Sequence, residues 1–186
     1  MSEDDRFYKT LVALELKDYK EGKMIMTLKD AIRNEFGRIT KDYKNVIVIA
    51  NSIGAFYAYE YLSDFSIKQA FFISPVASML KLVMDIMNDN GISDKELEEK
   101  NIIRLNNNQT LSYEFYKHVS NYNDNWVVPT DILYGERDEL VYIENIAEFL
   151  SNHPNARLTI KKGSEHYFHT EEEHDFIKNW ILKSLG

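Results

Sequence analysis

Residues 45–62, Asn-Val-Ile-Val-Ile-Ala-Asn-Ser-Ile-Gly-Ala-Phe-Tyr-Ala-Tyr-Glu-Tyr-Leu, restrict the fold more than any other stretch of this chain. Val46 to Ile49 is an unbroken β-branched run, the pattern of a strand covered on both faces, and it reads as a central strand. Ala50, Asn51, Ser52, Ile53 and Gly54 follow, and Ala55 to Leu62 reads as a helix. A chain that passes from strand to helix within so few residues doubles back sharply, which the small residues Ala50 and Gly54 permit. Such a turn lifts Ser52 off the sheet and aims its hydroxyl at the helix start, where free N–H groups and the dipole favour a developing anion. The same pattern also suits a serine in an ordinary turn, or a loop that cradles phosphate.

At 186 residues the chain is long enough for one domain with a real core, and 1–186 is read as a single unit. Its formal charge of −8 shows no basic stripe, which disfavours a nucleic-acid or anionic-membrane surface and favours small or neutral partners. With no cysteine, thiolate chemistry and cysteine-held metal sites are excluded. The acidic Met-Ser-Glu-Asp-Asp-Arg start lacks the apolar core of a signal peptide, and no apolar run approaches the ~20 residues of a membrane helix. A soluble, cytoplasmic protein is expected.

Thr10 to Leu16 reads as a first strand. Thr27 with Asp30 signals a helix start, and Leu28, Ile32, Phe36, Ile39 and Tyr43 recur at helical spacing. Strand, helix and central strand then form a right-handed parallel unit. Ile67 to Ile73 is a third strand, Thr130 to Tyr134 a fourth and Arg157 to Lys161 a fifth, giving an α/β fold with a mostly parallel sheet of about five strands between helices. The intervening segment, about 76–125, shows no strand pattern. Met79 to Met87, the Ser93–Glu96 signal and Leu111–Val119 read there as helices.

The last two strands end in polar groups. Leu133-Tyr134-Gly135-Glu136-Arg137-Asp138 presents Asp138 beyond a glycine turn, and Gly163-Ser164-Glu165-His166 presents His166 in the same way. Thr170 with Glu173 is a capping box that opens a final helix. In an open parallel sheet such strand ends share one edge, so Ser52, Asp138 and His166 can converge. A serine hydroxyl needs a base to take its proton, and the base needs an acceptor on its other nitrogen. Rivals stay open: His169 as the base, Glu136 or Glu139 for Asp138, or Asp138 as a mere helix cap. His118, His153 and His174 read as surface residues. His166, His169 and His174 near Glu171 to Glu173 match no familiar metal spacing, and no metal is expected.

From Thr10 to the C-terminus the chain resembles the α/β-hydrolase superfamily, with Ala50 where the elbow usually carries its first glycine and with the nucleophile, acid and histidine in that family's order. The resemblance implies Ser52 as nucleophile, His166 as base, Asp138 as its partner and the Ile53 N–H as an oxyanion donor. It makes 76–125 a helical lid, with Asn51, Met79, Met84 and Phe115 as candidate pocket residues. The family's second oxyanion donor usually follows a His-Gly pair. This chain has none, carrying Glu15-Leu16-Lys17-Asp18-Tyr19-Lys20 where relatives have Asp-x-x-Gly-His-Gly. About the first third of a typical member is expected to be absent, leaving a weak enzyme and a sheet edge able to pair with a second copy. The implied function is a serine hydrolase acting on a small ester or related acyl substrate, without cofactor. The alternative is a non-catalytic binding module with an incomplete oxyanion hole.

Overall fold

The computed structural model describes residues 24–106 and 109–185, with side chains from Lys29 onward. Helix α1 (Met24–Asp42) leads into β1 (Ile47–Asn51), α2 (Ile53–Tyr61) and β2 (Gln69–Ile73). Helices α3 (Met79–Asp89) and α4 (Asp94–Lys100), strands β3 (Ile102–Arg104) and β4 (Thr110–Ser112), and helix α5 (Tyr113–Ser120) come next. Strand β5 (Thr130–Gly135), α6 (Ile143–Asn152), β6 (Ala156–Lys161) and α7 (Glu171–Leu185) complete the described chain. The main sheet runs β1-β2-β5-β6 with every pairing parallel, so the C-terminal ends of all four strands lie on one edge.

The strand read at Thr10–Leu16 and the stretch Glu15–Lys20 lie outside the described residues. Four of the expected parallel strands are present, and among the described residues β1 stands at one end of their order. Its β-branched run reports cover on both faces. Val48 joins the main core, and Ile49 packs against a second cluster under α7. The helix start expected at Thr27 falls inside α1, which begins at Met24.

Alternation along the strands builds two cores. Val48, Ala70, Phe72, Ile132 and Tyr134 face the cluster shared with α1 to α6, and Phe72 stacks on Trp126 with centroids 5.8 Å apart. Ile73 and Leu133 face the opposite side with Phe168 and Trp180, and Phe71 meets Trp180 edge-on at 5.4 Å. Interior strands β2 and β5 are therefore apolar on both faces, as a parallel sheet layered between helices requires. Helix α2 shows no apolar stripe because Phe56, Tyr57, Tyr59 and Tyr61 are all buried.

The 76–125 segment is not wholly helical, since β3 and β4 form an antiparallel hairpin within it. Its Met79, Val83, Met87, Leu97, Leu111 and Val119 are buried in the main core. His153, read as a surface residue, is buried: it closes α6, stacks on Phe149 at 3.9 Å, and bonds the Phe149 carbonyl and Asp124. No helix among the described residues is long and apolar enough to cross a membrane.

Candidate active site

Ser52 stands between β1 and α2 with φ 50° and ψ −122°, a backbone conformation that costs an L residue roughly 1–3 kcal/mol. Hydrogen bonds hold it there. The Ser52 N–H donates to the Ile73 carbonyl at 2.9 Å, and the Ser52 carbonyl accepts from Ala55 and Val76 at 3.1 and 3.0 Å. Asn51, a candidate pocket residue, is exposed and donates its side-chain amide to the same Ile73 carbonyl at 3.2 Å, bracing the elbow. A Cβ at Gly54 would lie 4.0 Å from the Ala50 Cβ, an ordinary contact, so the turn admits an alanine there.

The loop after β5 carries Asp138 and the loop after β6 carries His166, and a close backbone approach joins them. A Cβ on Gly135 would fall 2.4 Å from the Glu165 carbonyl oxygen and 2.6 Å from that of Ser164, so only glycine lets these strands meet. The Arg137 N–H donates to the Ser164 carbonyl at 2.9 Å, and the Gly163 N–H donates to the Glu136 carboxylate at 2.9 Å. Gly163 itself has φ 74°, which a side chain would oppose.

On this frame the His166 Nδ1 lies 2.8 Å from Asp138 Oδ2, and its Nε2 lies 2.9 Å from Ser52 Oγ. An ionised carboxylate only accepts, so the ring proton sits on Nδ1, and Nε2 is left to accept from the Ser52 hydroxyl. The His166 side chain is 4% exposed and that of Asp138 0%. Burial alone would push the Asp138 carboxyl up. Hydrogen bonds from His166 and from the Val141 and Leu140 N–H groups outweigh it and hold the carboxyl below its ordinary range. The Asp138 carboxylate therefore orders the loop that opens α6 and the histidine together.

The rivals are placed elsewhere. His169 is exposed, its Nδ1 2.7 Å from the Tyr167 carbonyl, while Glu136 is engaged by Gly163 and Glu139 points to solvent. Met79 lies in the main core, Met84 is exposed, and Phe115 is half-buried against the His118 ring. Ile53, the residue after the serine, opens α2, where an N–H has no carbonyl one turn earlier within the helix. Among the described residues no group of three or more His, Asp or Glu side chains is arranged to hold a metal ion.

Two features had no signal in the sequence. Ser74, next to the Ile73 carbonyl that anchors the elbow, has φ 43° and a buried hydroxyl without a hydrogen-bond partner. A cavity of about 700 Å³ opens at the far end of α2, among Lys29, Glu60, Lys117, His118 and Tyr122. Glu60 there bonds His118, and burial pushes its carboxyl up despite that partner. Ser52, Asp138 and His166 do not line this cavity, and among the described residues only those three hold a hydroxyl, a base and a carboxylate in one hydrogen-bonded line.

No protein-family model and no curated protein sequence matches the chain. Solved structures do. The chain is similar to Est1E from Butyrivibrio proteoclasticus, with a TM-score of 0.66 at 16% identity over 86% of this chain and 70% of that one. It is similar to alpha/beta hydrolase domain-containing protein 10 from mouse, with a TM-score of 0.60 at 15% identity over 83% and 69%. The esterase EaEST from Exiguobacterium antarcticum matches with a TM-score of 0.54 at 15% identity over 87% and 74%. At these identities the likeness is one of fold: the chain has the fold of the α/β-hydrolases.

Proposed function

We propose that this chain is a serine hydrolase that cleaves a small ester or related acyl substrate through an acyl-enzyme. The observation that carries this reading is the unbroken line Ser52 Oγ, His166 Nε2, His166 Nδ1, Asp138 Oδ2, with both links within hydrogen-bonding distance. Two of the similar structures bear the name esterase or hydrolase, which agrees with it.

In this reaction Ser52 Oγ attacks the acyl carbon while its proton passes to His166 Nε2. Asp138 keeps the ring oriented and stabilises the imidazolium that forms. The tetrahedral oxyanion is held by the Ile53 N–H at the start of α2, where the dipole of the helix adds to the hydrogen bond. His166 then returns the proton to the departing oxygen, the carbon–oxygen bond breaks, and Ser52 keeps the acyl group. Water, deprotonated by the same imidazole, releases the acid and restores the serine. Neither metal nor organic cofactor enters this scheme.

A fluorophosphonate probe tests it directly. Wild type should label and Ser52→Ala should not, with hydrolysis of p-nitrophenyl acetate following the same pattern. His166→Ala should remove most labelling and His169→Ala should leave it, and the opposite result for these two would reassign the base. Folded wild type that never labels would point to the non-catalytic binding module.

A further inference from the structure

His166 sits in a loop held on both sides: before it the Ser164 carbonyl accepts from the Arg137 N–H at 2.9 Å, and after it several donors converge on one carboxylate. Glu173, on the first turn of α7, accepts on Oε2 from the N–H of His169 at 3.1 Å, the N–H of Thr170 at 3.0 Å and the Thr170 hydroxyl at 2.8 Å. Its own N–H donates back to Thr170 Oγ1 at 3.2 Å. His169 follows His166 by three residues, so the segment carrying the imidazole is tied to Glu173 just beyond the ring.

A capping box needs only the reciprocal pair of Thr170 and Glu173. Here Glu173 is 9% exposed and gathers donors from outside the helix as well. The same loop is tied twice more. His174 Nε2 lies 3.0 Å from the Phe168 carbonyl, and the Phe168 side chain is buried with Ile73 and Leu133. The Ser164 hydroxyl, ahead of the Thr170 N–H, holds the Glu173 carboxyl down at about 2. It is a full acceptor at any pH at which a histidine can act as a base.

We propose that Glu173 is a positioning residue for His166, fixing through the His169 and Thr170 N–H groups the loop from which the imidazole reaches both Asp138 and Ser52. This rests on the triad reading for its effect on rate, but not for its effect on geometry. Misplacing a reacting group by about 1 Å costs on the order of 10²-fold in rate. Neutralising the acceptor while keeping its oxygen should cost far less.

The test compares wild type with Glu173→Ala, Glu173→Gln and Thr170→Ala, reading the rate of fluorophosphonate labelling, the melting temperature and the solvent-protected Nδ1 proton of His166 by NMR. Glu173→Ala should label roughly 100-fold more slowly and lose the protected proton, whereas Glu173→Gln should keep the proton and most of the rate. Thr170→Ala, which breaks the reciprocal cap but spares the other donors, should lower the melting temperature while labelling near the wild-type rate. The proposal is overturned if Glu173→Ala keeps both rate and proton, or if Thr170→Ala loses as much of either. Should wild type itself fail to label, the triad reading falls, and the protected proton in wild type and Glu173→Ala still decides whether Glu173 positions the ring.

Discussion

Gly135→Ala is the sharpest perturbation of the site, because it adds one methyl group at a place where two backbones touch. The new Cβ would fall 2.4 Å from the Glu165 carbonyl oxygen, about 1 Å short of ordinary contact. Both obstructing atoms belong to backbone, so no rotamer change relieves the clash, and the β5 and β6 loops must part. The Arg137–Ser164 bond at 2.9 Å and the His166–Asp138 contact at 2.8 Å span this same seam. Parting of about 1 Å would carry both past hydrogen-bonding range. Overpacking of this kind costs ~1–3 kcal/mol, or roughly 2–12 °C in melting temperature for a chain of this length. Displacement of the histidine should slow the reaction on the order of 10²-fold. Circular dichroism melting and fluorophosphonate labelling read the two effects, with Gly54→Ala as the control expected to keep its labelling rate. Wild-type labelling and melting in Gly135→Ala would refute the claim that this seam sets the distance between acid and base.

Other expectations follow from single groups. The Glu173 carboxyl lies at about 2 in the folded chain against an ordinary 4.5, so its contribution is complete above pH 4.5 and fades as pH falls toward 2. The melting temperatures of wild type and Glu173→Gln should therefore converge on acidification, and a gap that stays constant to pH 2.5 would contradict this. Burial pushes the His153 imidazole down, but its bonds to Asp124 and the Phe149 carbonyl outweigh that and raise it above 6.5. Its stabilisation is complete below pH 6.5 and is lost as pH rises through the folded value, so wild type should lose more stability than Asp124→Asn between pH 6 and pH 9. Ser74→Ala removes a buried hydroxyl that has no partner, and should leave chemical denaturation within about 0.5 kcal/mol of wild type or slightly more stable.

The elements that a local pattern specifies were legible in the sequence, and those that depend on distant neighbours were not. Ser93 and the Thr170–Glu173 pair sit at helix starts because a cap is a matter of two residues three apart in the chain. Strands β3 and β4 have three residues each and little burial, too short for an alternating pattern to register. His153 carries one local cue, a ring four residues after Phe149, but the Asp124 that makes its burial tolerable lies 29 residues earlier in the chain. The candidate site divides in the same way. Gly-flanked strand ends marked Asp138 and His166, whereas the role of Gly135 depends on carbonyls at Ser164 and Glu165 that its own segment cannot reveal.

A parallel sheet brings strand ends to a common lip, and that alone places side chains within several ångströms of one another, not at 2.8 and 2.9 Å. The remaining precision comes from backbone contacts between loops. Ser52 is held strained by the Ile73 carbonyl, while Asp138 and His166 ride on loops joined at Arg137–Ser164 and Glu136–Gly163. Asp138 and His166 thus form one mechanical unit, tied to each other more directly than either is tied to Ser52. Disturbance of the β5–β6 seam should break the Asp138–His166 link and slow every chemical step. Disturbance of the elbow should change the Ser52–His166 distance while leaving the protected Nδ1 proton of His166 in place. Asn51→Ala, which loosens the elbow by removing one bond to Ile73, should therefore lower the labelling rate and keep that proton. Loss of the proton in Asn51→Ala would mean that all three side chains are held as one body and that the division into two units is wrong.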